Sequence, residues 1–168
     1  KNSYKNLIDL YLKLGFNDAG ARVIREYISL YPDEDDVFQK RIEIGNIYQR
    51  NGEFDTALDY FKRLIYEAKG DDEAACQFFI AETYMMMKNF RQAITEYMKV
   101  KYMIKTNSPF EWGLTAMYNT ALCYEELGEY DKALDILNEI AANHPADSYG
   151  RQAKKVIERV EGKKNIER

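Results

Sequence analysis

Apolar side chains recur along this chain at helical spacing, in blocks that come in pairs. Met117, Ala121 and Tyr124 fall at i, i+4 and i+7, one stripe of a helix. After a break at Gly128, Ala133, Leu137 and Ile140 form a second stripe, which stops before Pro145. Glycine ends a helix cheaply because it reaches the left-handed conformation, and proline disfavours helix in the residue before it. The block CYEELGEYDKAL (123–134) is echoed by IYQRNGEFDTAL (47–58), TYMMMKNFRQAI (83–94) and LYLKLGFNDAGA (10–21). The equivalent tyrosines Tyr11, Tyr48, Tyr84 and Tyr124 lie 37, 36 and 40 residues apart. Self-similarity at such a period predicts stacked helix pairs, because an isolated pair cannot cover its own apolar face.

Three features lie outside the repeated blocks. From Ser148 to Val160, Tyr149, Ala153, Val156, Ile157 and Val160 make one apolar stripe, while Arg151, Lys154, Lys155, Glu158 and Arg159 face away. That is the pattern of a polar lid on the end of a stack. The junction before the fourth pair is longer than the others. Its Ser108-Pro109-Phe110-Glu111 reads as a capping box that starts a helix near Pro109 and places Trp112 on an extra turn. Trp112 is expected to anchor against the helix before it, with contact to a partner as the alternative. Asp33 to Asp36 are expected to cap the first helix of the second pair.

In its repeated residues the chain resembles the tetratricopeptide repeat, a helix–turn–helix unit of about 34 residues. That family favours small residues at repeat positions 8 and 20, tyrosine at 11, glycine at 15, an aromatic at 17 and often proline at 32. The fourth repeat supplies Ala121, Ala133, Tyr124, Gly128, Tyr130 and Pro145. The second has Gly45, Ala57, Tyr48, Gly52 and Phe54, with Lys69 in place of proline; the third has Ala81, Ala93, Tyr84 and Phe90, with Lys88 in place of glycine and Lys105 in place of proline. The first is the most degenerate, keeping Tyr11, Gly15 and Pro32, and its bulky Ile8 is expected to be offset by Gly20 across the helix pair. The resemblance implies an all-α, right-handed solenoid in a single domain over 1–168. Its repeats would span about 1–34, 38–71, 74–107 and 108–147, with a capping helix over about 148–161. A shorter likeness, HPADSYGRQA, is similar to helix starts in bacterial envelope proteins of the same family.

Composition narrows the function. Hydrophobic content of 46% beside 31% charged residues suits a folded soluble chain. No run approaches the roughly 18 apolar residues of a membrane helix. A net charge of −4 with no basic stripe argues against nucleic acid. Cys76 and Cys123 are too few for a zinc site or a disulfide framework and are expected to be buried and unbridged. Unpaired cysteines suit a reducing compartment, whereas the HPADSYGRQA likeness points to a bacterial periplasm; cytoplasm and periplasm both stay open. The chain begins at Lys1 rather than methionine, as expected of a segment excised or processed from a longer protein. His144 is the only histidine, and no GxGxxG, GxxxxGK[ST] or HExxH occurs, so no enzyme, cofactor or metal is expected.

A binding role remains. In the family, first helices line a concave groove through positions 2, 5, 6, 9, 12 and 13. The clamp that some members use for acidic chaperone tails is broken here, since Lys5 stands with Asp9, Glu43, Ala75 and Phe79. The groove is instead expected to carry an apolar centre, with Ile42, Phe78, Phe79, Glu82, Met85, Met86, Tyr118, Leu122 and Glu125 as the partner-binding residues. The expected function is a protein–protein interaction scaffold that takes a peptide or an amphipathic helix in that groove. The alternative is self-assembly, or a structural segment of a longer repeat protein.

Overall fold

A computed structural model describes residues 1–103 and 111–166. Among these residues it has nine helices and no strand: α1 Asn2–Lys13, α2 Asn17–Leu30, α3 Val37–Arg50, α4 Phe54–Leu64, α5 Asp71–Met86, α6 Phe90–Met103, α7 Trp112–Glu126, α8 Tyr130–Asn143 and α9 Ser148–Ile166. Each helix packs on the next in the chain, and the first helices α3, α5 and α7 also touch in turn. The result is an α-solenoid of four helix pairs closed by α9.

The turn inside every pair is built the same way. Gly15, Gly52 and Gly128 sit at φ +76°, +77° and +71°, and Lys88 takes the equivalent place at +58°. The carbonyls of Tyr11, Tyr48, Tyr84 and Tyr124 accept hydrogen bonds from the amides of Phe16, Glu53, Asn89 and Glu129, each at 2.9–3.0 Å. This six-residue closure satisfies a carbonyl that the helix end would otherwise leave open. The lysine in the third repeat therefore does not change the turn; it places a Cβ where only glycine is free of steric cost.

Packing is layered along the stack. Ile8, Ala21, Ile24 and Tyr27 of the first pair share a core with Ile44 and Ile47 of α3. Phe61 and Leu64 of α4 pack with Cys76 and Ile80 of α5, and Tyr97 and Val100 of α6 pack with Ala116 and Cys123 of α7. Both cysteines are free and buried, and burial pushes each thiol up to about 12. The space beside Gly20 is filled first by Leu12 and Tyr11 of α1, while Ile8 is buried in the core with Ala21, Ile24 and Tyr27.

One capping expectation also changes. Asp36 does stand at the N-cap of α3, but its side chain makes no capping bond. It accepts from Tyr27 Oη at 2.7 Å and pairs with Lys5 at 2.6 Å, tying the start of the second pair to the first. Ser108, Pro109 and Phe110 lie outside the described residues. The described helix α7 begins at Trp112, with Glu111 at its N-cap. At α9 the capping residue is Asp147, one before Ser148; its Oδ1 accepts from the amides of Tyr149 (2.8 Å) and Gly150 (3.1 Å). A Cβ at Gly150 would fall on the His144 carbonyl oxygen, so glycine is what lets α9 start against the end of α8. The lid is longer than its sequence pattern, running to Ile166, and it buries Ala153, Val156 and Val160 on α8.

Because Lys88 occupies the left-handed position that glycine fills in the other three turns, Lys88→Gly should stabilise the chain by about 1 kcal/mol. Denaturant unfolding of the two proteins checks this.

Candidate functional site

The first helices of the stack bring one cleft to the surface. Asp9 and Leu12 of α1, Gln39, Lys40, Ile42, Glu43 and Asn46 of α3, Phe79 of α5 and Trp112 of α7 line it together with Asp36, around a volume of about 300 Å³. Its floor is aromatic. Phe79 stacks on Phe61 with ring centroids 5.4 Å apart and planes 14° apart, and Trp112 meets Phe79 edge-on at 5.8 Å and Phe78 at 5.1 Å. Trp112 thus packs on Phe78 and Phe79 of α5 and against the core that α5 shares with the helix before it, α6, and its ring also walls the cleft. The rim is polar, with Asp9, Gln39, Lys40 and Glu43. Beneath it the buried Oδ1 of Asn46 accepts no hydrogen bond among the described residues.

The residues expected at the groove divide into three groups. Ile42 and Phe79 meet in the cleft, although Ile42 is buried and Phe79 only half-exposed. Phe78 was expected to be exposed and is core: it is 5% exposed and packs against Tyr97 and Trp112. Glu82, Met85 and Met86 continue along α5. Met86 is exposed, and Met85 Sδ accepts from Tyr97 Oη at 3.7 Å. Burial holds the Glu82 carboxyl above its ordinary range, partly offset by a hydrogen bond from Gln49. The third group faces the lid, with Tyr118 and Leu122 half-buried. Tyr118 and Leu122 pack on the core shared by α8 and α9, and Thr115 hydrogen-bonds Tyr149 of α9 at 2.9 Å.

Glu125 is the buried member of this group. It is 4% exposed and is held by the Arg159 guanidinium through two bonds of 2.9 and 2.6 Å and by Lys163 at 2.9 Å, both from α9. The expectation of an open groove therefore fails at the fourth repeat, because the chain's own lid pairs with the carboxylate that would have faced a partner. Lys5 is engaged as well, by Asp36. Among cleft residues, Lys40 and Asp36 carry no groove signal in the repeat register. Trp112 could be found only as the lone tryptophan beside a long junction.

Glu125 also sets a pH response. Burial pushes its carboxyl up, but Arg159 and Lys163 outweigh that and leave it below its ordinary value. A carboxyl depressed in the folded state adds stability that is complete above its unfolded pKa, about 4.5, and disappears as pH falls through the lower folded value. The lid should accordingly loosen below about pH 4, seen as earlier melting on acidification, and Glu125→Gln should remove that part of the pH dependence. An unchanged acid profile in Glu125→Gln would contradict the assignment.

The described residues contain no group of three or more metal-ligating side chains, and none of the helices is long and apolar enough to cross a membrane. In sequence, residues 42–73 and 115–147 each match a family model described as tetratricopeptide repeat. No curated protein matches the chain. Among solved structures, Podosopora anserina kinesin light chain nearly identical TPR-like repeats superpose with a TM-score of 0.73 at 14% identity, over 99% of this chain and 87% of that one. A tetratricopeptide repeat protein from Parabacteroides merdae gives 0.64 at 17% identity, over 97% and 62%. MamA protein gives 0.61 at 17%, over 98% and 84%. Identities this low carry the fold alone.

Proposed function

This chain belongs to the tetratricopeptide-repeat family, and from that premise we propose that it is a protein-interaction scaffold whose cleft over α1, α3 and α5 takes a peptide or an amphipathic helix of a partner. The observation that carries the reading is the pairing of an aromatic floor, Phe79 with Trp112, with a polar rim of Asp9, Gln39, Lys40 and Glu43. An apolar side chain of a partner would be desolvated on the rings, and the polar rim would meet the partner's backbone. The site is thereby narrower than the family register implies: Ile42 and Phe79 belong to it, Met85, Met86 and Glu82 extend it, and Tyr118, Leu122 and Glu125 serve the lid. No reaction is assigned to the chain.

The test must avoid Phe79 itself, since its ring is stacked on Phe61 and a charge there would cost stability as well as binding. Peptides selected from a displayed random library for binding to the chain should lose affinity at least about tenfold on Gln39→Arg or Glu43→Arg, with Tm unchanged. They should also shift the fluorescence of Trp112, the only tryptophan. Selected peptides that bind both variants as tightly as the parent would move the binding surface off the cleft.

A further inference from the structure

The carboxylates of the cleft and of the groove face beyond it are mostly neutralised by the chain itself. Asp36 pairs with Lys5 at 2.6 Å, Glu43 with Arg50 at 2.6 Å, and Glu125 with Arg159 at 2.6 Å and Lys163 at 2.9 Å. Asp9 and Glu126 have no cation among the described residues, but both are exposed and water solvates them.

Glu82 fits neither description. It is half-buried, and the one group that meets its carboxyl is the amide of Gln49. Gln49 is itself buried and committed elsewhere: its Nε2 donates to the Thr83 hydroxyl at 2.8 Å and to the Phe79 carbonyl at 3.2 Å. A neutral donor already shared in this way does not replace the water that burial takes from a carboxylate. Glu125, on the next first helix, shows what such a group requires. It is buried further than Glu82, yet its carboxyl lies below the ordinary range, because α9 brings it a guanidinium and an ammonium. Among the described residues none brings Glu82 either.

We infer, on the cleft reading already proposed, that the partner supplies this cation: the segment that docks in the cleft carries an arginine that pairs with Glu82. Glu82 lies three residues beyond Phe79 on α5, so the carboxylate and the aromatic floor are one helical turn apart, about 5–6 Å. A partner that seats an apolar side chain on Phe79 and Trp112 brings its arginine to Glu82 when the two are three or four residues apart on a helix, or two apart in an extended segment. Arginine suits the place better than lysine. Its guanidinium is weakly hydrated, so less is lost on entering a half-buried site, and it takes a carboxylate through two parallel bonds.

Peptides selected from a random displayed library on the intact chain are the probe. Their sequences should share an arginine one turn from an apolar or aromatic residue. A synthetic peptide of this kind should bind Glu82→Gln at least about tenfold more weakly than the parent. With its arginine replaced by glutamine, the peptide should bind the parent weakly and lose no more than about twofold on Glu82→Gln, because the pair has already gone. Tm separates pairing from a structural role: Glu82→Gln should melt no lower than the parent, since it removes a carboxylate that has no cation. Selected peptides without a shared arginine, or a tenfold loss that persists in the arginine-free peptide, would overturn the pairing. A lowered Tm would overturn it too, because the carboxylate would then be met within the chain. If the peptides still lose affinity on Gln39→Arg, the cleft reading stands while the pairing falls; if neither Gln39→Arg nor Glu82→Gln weakens them, both fall.

Discussion

An amphipathic helix pair has more apolar surface than it can hide, and every part of this molecule answers that one constraint. Burial of apolar area supplies most of the driving force in a fold of this size, but here no pair completes a core alone. Tyr27 needs Ile44 and Ile47, Phe61 needs Cys76 and Ile80, and Tyr97 needs Ala116 and Cys123. Stability is then a sum of joints between neighbours, and the two ends are where the sum is incomplete.

The ends and the long junction are also where side chains become available for other work. At the C-terminal end the remaining joint is closed by α9, and the price is Glu125: a carboxylate on the groove face becomes buried, which the structure sustains with a bidentate arginine and a lysine. At the start of α7, Trp112 packs on α5 and, with Phe79, walls the cleft. The cleft thus sits in the front three repeats, ahead of a lid that consumes the fourth.

Local signals made the fold legible in the sequence. The tyrosine spacing, Gly15, Gly52 and Gly128, and the stripe from Tyr149 to Val160 each act over one or two turns of helix, and the structure uses them as read. Lys88 was legible as a departure and costs only a turn position. What could not be read depends on contacts between distant residues. Glu125 and Arg159 lie 34 residues apart, and a register that marks a position as groove-facing does not say which neighbour will stand in front of it. Phe78 fails for the same reason, since its cover is Trp112, whose place after the junction no repeat position specifies.

If joints between neighbours hold the chain together, protection should be graded along it. Native-state hydrogen exchange in dilute solution measures this most directly. The account predicts that amides of α1, with one buried residue and one open face, exchange fastest among the helices, that α4 and α5 in the middle of the stack are the slowest, and that α9 is protected well above α1 by its packing on α8. Equal protection of α1 and α5, or an α9 that exchanges as fast as α1, would contradict it.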